Sequence, residues 1–126
     1  MIKAAKMITL AAIALMVACD KIEPEQNEPT ITVTAPFDNE VITVNDTLFV
    51  KVDYADDSKL VSYQANITNT NSNVNVFSLN KYVNGTTASL DTFKIMPDTG
   101  HYELIIYVGD INDNFTNKII NFTVAP

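Results

Sequence analysis

From Thr30 to the C-terminus the apolar residues recur at every second position. A period of two places one face of each segment in a core and the other in solvent, so the chain is expected to fold as strands. Ile31 and Val33 alternate with Thr30, Thr32 and Thr34 until Pro36 ends the run. Leu48, Val50, Val52 and Tyr54 share one phase, opposite Phe49, Lys51 and Asp53. Val61, Tyr63, Ala65 and Ile67 continue the pattern, and Val74 with Val76, then residues 90–95, predict two shorter strands. Tyr102, Leu104, Ile106 and Val108 make the cleanest alternation, and Ile120, Phe122 and Val124 close the chain. The separators are rich in turn formers: Asp38-Asn39, Asn45-Asp46, Asp56-Asp57-Ser58, residues 69–73, Asn84-Gly85, Asp98-Thr99-Gly100 and residues 110–114. No window past the leading segment has helical spacing. About seven short strands with turns every 8–12 residues predict an all-β antiparallel sandwich.

Charge narrows the function classes. Beyond residue 18, six lysines face fifteen acids and there is no arginine. That balance argues against nucleic acid, whose phosphates need a basic footprint. One cysteine excludes a disulfide framework and a cysteine-based zinc site. One histidine, His101, leaves little material for nucleophile–base catalysis, so the chain is not expected to be an enzyme.

The first residues read as an address. Lys3 and Lys6 precede an uncharged run over residues 7–17, which is too short for the roughly 20 residues of a membrane span. The run ends at Leu15-Met16-Val17-Ala18-Cys19, which resembles a bacterial lipobox, with Met16 where leucine is more usual. Residues 1–18 are then a lipoprotein signal peptide and Cys19 is the acylated residue. Residues 19–29 form an acidic spacer that cannot bury enough apolar surface to order itself. At ~3.3–3.6 Å per residue it reaches at most roughly 35 Å. Its acids resemble the export signals of Bacteroidetes surface lipoproteins. Location at the outer membrane follows, facing either the periplasm or the cell exterior, with the domain beginning at residue 30.

Asp98-Thr99-Gly100-His101-Tyr102-Glu103-Leu104 resembles the D-x-G-x-Y-x-C segment that opens strand F of immunoglobulin domains. That resemblance implies a tyrosine corner built by Asp98, Gly100 and Tyr102. Leu104 stands in the cysteine position, so aliphatic packing against Leu48, Val50 and Val52 is expected to replace the inter-sheet disulfide. Tyr63 is the candidate for the central aromatic, since the chain has no tryptophan. The order of segments, from lipobox through acidic spacer to Gly100-His101-Tyr102 and Val108-Gly109-Asp110, resembles the small immunoglobulin-like lipoproteins of Bacteroidetes of unknown function. The resemblance implies a fold and an address, and no activity.

Residues 110–114 spell the D-x-N-D-N of cadherin calcium linkers. An immunoglobulin topology brings the B–C and F–G loops to one end. Asp56 and Asp57 should therefore approach Asp110, Asn112 and Asp113, a set of oxygens of the kind calcium takes. The plainer reading is a pair of solvated loops in which Asn and Asp tolerate positive φ. Phe49, Phe77 and Tyr107 fall on outward phases and Tyr82 in a loop, too scattered to form one patch. The expected function is a lipid-anchored, non-enzymatic binding or scaffolding module for a protein or glycan partner. A calcium-binding adhesion or stabilising module is the alternative. The far end, residues 37–44 and 95–99 with Phe37 and Met96, is the expected partner surface.

Overall fold

The computed structural model describes residues 27–126. Cys19, the signal segment and most of the spacer lie outside the described residues. Six strands follow in order: β1 (Thr30–Ala35), β2 (Glu40–Thr43), β3 (Thr47–Asn69), β4 (Val74–Ile95), β5 (Gly100–Asp110) and β6 (Phe115–Ala125). Four of the turns between them put Asn39, Asn45, Asn73 and Asp113 at φ between 58° and 68°. Short polar side chains tolerate that left-handed region, and all four positions fall in separators read from the sequence.

Two strands are far longer than their alternation suggests. Residues 47–55 of β3 pair with residues 87–95 of β4, and residues 51–55 pair on the other side with β1. Residues 60–69 of the same strand pair with residues 74–85 of β4 and with β5. The register of β3 shifts between Ala55 and Leu60 and again before Ser62. Irregularities of this kind bend a strand and let it change layers. The result is a sandwich of a three-stranded layer and a five-stranded one, the latter continuing through β5 and β6 to β2. Pairing is antiparallel except between β2 and β6, which run parallel. β2 is only four residues long, and hydrogen bonds from Asn39 N to Asn121 O and from Val44 N to Ala125 O fix both its ends on β6.

Several expectations need correction. Asp56-Asp57-Ser58 and Asn84-Gly85 are not loops but lie within β3 and β4. The shift at Leu60 swaps the phase there, so Leu60 is buried and Val61 exposed. Phe77 packs on the core instead of pointing outward, and Tyr82 is on a strand.

The core lies between the layers. Leu48, Val50, Val52, Tyr54 and Leu90 contribute from one side, and Tyr63, Ala65, Ile67, Leu104, Ile106 and Phe122 from the other. Each buried Val, Leu, Ile or Phe among them contributes about 1.5–3 kcal/mol on burial. Tyr63 stacks on Tyr54 with ring centroids 4.5 Å apart, and Tyr102 on Phe122 at 5.3 Å. Leu104, fully buried, packs in the same cluster as Leu48, Val50 and Val52.

Candidate functional site

The bend of β3 and the loop after β5 meet at one end of the sandwich. Asp110 is the one buried charged residue among those described. Its Oδ1 accepts the backbone N–H of Asn112 at 2.8 Å and of Asn114 at 2.9 Å. Its Oδ2 accepts from Asn114 Nδ2 at 3.1 Å. Ser58 Oγ stands 3.4 Å from that oxygen and 3.1 Å from Asp56 Oδ2. Burial pushes the Asp110 carboxyl up, but the hydrogen bonds from Asn114, Asp56 and Asn112 outweigh it and hold the group below its ordinary value. Asp56 moves the other way, to about 6, through burial and then its hydrogen bonds with Asp110 and Asp57. Asp57 is lowered, first by the Asn27 amide, which donates to its Oδ2 at 2.6 Å.

Of the five residues proposed for calcium, the fold thus links Asp56, Asp57 and Asp110 and leaves Asn112 and Asp113 exposed at the loop tip. Among the described residues there is no group of three or more His, Cys, Asp or Glu side chains that could hold a metal ion. The arrangement braces a loop and sets Asp56 and Asp110 apart in acidity.

At the opposite end the Tyr102 hydroxyl donates to the Asp98 carbonyl oxygen at 2.9 Å. Gly100 between them has φ 148°, and a Cβ there would stand 3.0 Å from Asn69 Nδ2. His101 is exposed, with Nδ1 3.1 Å from Thr123 Oγ1. Phe37 is exposed, but Met96 is not available to a partner. It is fully buried, and its backbone brackets the turn through Asn45 N to Met96 O and Met96 N to Asp46 O.

The exposed aromatics sort onto two faces. Phe49 pairs with Phe93 on the outside of the three-stranded layer, both exposed, with the Lys51 ammonium 5.9 Å from the Phe49 ring centroid. The outside of the five-stranded layer is different. Directly opposed residues of paired strands share a face, so the registers set rows across β4, β3, β5 and β6. Tyr82, Ser62, Gly109 and Phe115 form one row. Asn80, Gln64, Tyr107 and Asn117 form the next, and Ser78, Asn66, Ile105 and Ile119 a third. None of these twelve residues is charged. Tyr82 is 87% exposed, Phe115 69% and Tyr107 42%.

Gly109 permits the geometry of that face. A Cβ there would lie 2.8 Å from Phe115 Cε1, so the Phe115 ring rests across the glycine backbone. Ser62, Gln64, Tyr107, Gly109 and Phe115 line a shallow cleft of ≈ 220 Å³. Sequence reasoning missed this cluster because it placed Tyr82 in a loop and read Asn84-Gly85 as a turn. The alternation of Ser78, Asn80 and Tyr82 against Leu79 and Val83 carried the signal.

No protein-family model and no curated protein matches the chain. Solved structures do. It is similar to the fibronectin(III)-like modules of Clostridium thermocellum CbhA, at 18% identity and TM-score 0.52, covering 81% of this chain and 49% of that one. It is similar to OgpA of Akkermansia muciniphila, at 11% identity and TM-score 0.56, covering 81% of this chain and 30% of that one. The CARDB domain of the PF1109 protein of Pyrococcus furiosus, solved with di-metal ions, matches at 13% identity and TM-score 0.52, covering 82% of this chain and 95% of the domain. The chain spans about half or less of the first two. At these identities the likeness is one of fold: the chain is an all-β, immunoglobulin-like or fibronectin(III)-like sandwich.

Proposed function

We propose that the chain is a lipid-anchored, non-enzymatic binding or scaffolding module of the outer membrane, of the kind the Bacteroidetes resemblance implies. The observation that carries the binding role is an uncharged stretch of three rows on the outer face of the five-stranded layer, with Tyr82, Tyr107 and Phe115 standing out of it. The tether fits this face. Asn27 is tied to Asp57, and the Pro29 carbonyl oxygen accepts from Thr116 Oγ1 at 2.6 Å, so the chain comes in at the acidic end. A lipid on Cys19 would hold that end toward the membrane and leave the flanks of the sandwich accessible. The one histidine, His101, stands exposed beside Thr123. The test is metabolic labelling with palmitate and membrane fractionation. Label in the outer-membrane fraction that Cys19→Ser abolishes is expected, and a soluble, unlabelled native chain would overturn the anchor.

A second reading makes calcium the purpose of the acidic end. The observation in its favour is the convergence of Asp56 with Asp57 and Asp110, which leaves Asp56 protonated up to about pH 6. A divalent cation would relieve such a cluster. Asp113→Asn removes a carboxylate from the cluster's loop without touching the hydrogen bonds of Asp110. Calcium-dependent stability that this variant weakens would favour the second reading.

A further inference from the structure

We infer that the outer face of the five-stranded layer binds the interior of a neutral polysaccharide chain, an inference that rests on the binding-module reading and names its ligand class. The charge pattern comes first. The protein has a net charge of −7, yet its three rows of outward residues from Tyr82 to Ile119 hold no acid and no lysine. An anionic polymer finds no cation in these rows, and a basic peptide finds a carboxylate only at their border, where Glu103 lies in the next row between Thr68 and Asn121.

A sugar ring presents C–H groups on its faces and hydroxyls around its rim. It needs a flat apolar platform and groups that both donate and accept. The Phe115 ring, laid across Gly109, is such a platform and is held in place before any ligand arrives. Tyr107 stands in the next row. Side-chain amides supply donor and acceptor from one group. Those of Gln64, Asn80 and Asn117 make no hydrogen bond within the described residues, so engaging a hydroxyl breaks nothing inside the protein.

A protein partner would select a different surface. Protein interfaces bury a dry apolar centre with clustered anchors. Here Tyr82 and Phe115 stand three strand spacings apart, roughly 14 Å. Between them lie Ser62 and Gly109, which make a low floor in place of an anchor. A trough with rings at both ends and amides along one side suits an extended chain.

The experiment is affinity gel electrophoresis of the full chain in detergent. Gels contain α-glucan, β-glucan, mannan, xylan or galactan, with heparin and polygalacturonate as anionic controls. Retardation by at least one neutral polymer and by neither anionic one is expected. Phe115→Ala and Gln64→Ala should each weaken it at least tenfold, and Phe49→Ala, on the other layer, should leave it unchanged. Gly109→Ala should also weaken it, by displacing a ring that is still present. Migration unaffected by every neutral polymer overturns the inference, as does retardation by the anionic polymers or native-like binding by Phe115→Ala. A photo-crosslinking residue in place of Tyr82, used on intact cells, separates the two levels. A protein adduct without gel retardation removes the glycan and keeps a binding module, whereas neither adduct nor retardation removes both.

Discussion

Two buried tyrosines illustrate how much one hydroxyl depends on its partner. Tyr102 Oη donates to the Asp98 carbonyl, and Tyr54 Oη is buried with no hydrogen-bond partner among the described residues. Burial, and then Tyr63, push the Tyr54 hydroxyl well above its ordinary value. Removing a satisfied hydrogen bond costs about 1 kcal/mol, whereas removing an unsatisfied buried group costs nothing or stabilises. Urea midpoints should therefore fall for Tyr102→Phe and hold or rise by the equivalent of up to about 1 kcal/mol for Tyr54→Phe. Asp56 gives a residue-scale prediction in pH. Its folded value near 6 exceeds the unfolded 3.8, so its contribution is fully present below 3.8 and is lost as pH rises through 6. Asp110, held low, contributes above 3.8 and loses its contribution as pH falls. Asp56→Asn removes the first term and alters one hydrogen bond to Asp110, but Asp110, held low, acts below the pH range in which Asp56 titrates. Thermal melts should show the variant gaining on the native chain between pH 5 and pH 7. Solvent screening limits that gain to about 1 kcal/mol or less.

The strands differ in how plainly the sequence announced them. β5 was legible residue by residue, because Tyr102, Leu104, Ile106 and Val108 are all buried in one phase. The Asn and Asp turns were legible because left-handed backbone selects those residues. β3 and β4 were not, since a strand that bends between layers needs polar residues at the bend, and those read as turns. Gly85 shows the ambiguity: it pairs with Leu60, and a Cβ there would meet nothing closer than Thr87 O at 3.9 Å. Pairing, not conformational need, decides that position. The outward face of β4 became visible only with its register, and with it the site. β4 also pairs with β3 alone, so its other edge is open along both layers. Unpaired edges template further strands, and lysines on them oppose this. Lys81→Val with Lys94→Val should shift the chain to larger species than the native one in size-exclusion chromatography, whereas Lys118→Val, on β6, should leave the elution volume unchanged.

At the scale of the molecule the two ends have separate jobs. The N-terminal residues join the acidic end through Asn27 and Pro29, while β2, Met96 and the end of β6 close the other. Whether the acidic end also serves calcium is decided by what its carboxylates already do. Asp110 gives both oxygens to Asn112, Asn114 and Ser58. Asp110→Ala would strand two backbone N–H groups, at about 1–3 kcal/mol for each one left unsatisfied, so its failure would report on the loop and not on a metal. Asp113→Asn has no such confusion. The measurement is a thermal melt of the native chain in excess calcium and then in chelator. A cation at ~100 times its dissociation constant stabilises by about 2.7 kcal/mol, which moves the midpoint of a domain this size by roughly 10–20 °C. A binding module whose acids brace the loop should melt at the same temperature in both solutions. A shift on that scale, reduced in Asp113→Asn, would make calcium the ligand of this end and turn the face of the five-stranded layer into a second site on a calcium-stabilised domain.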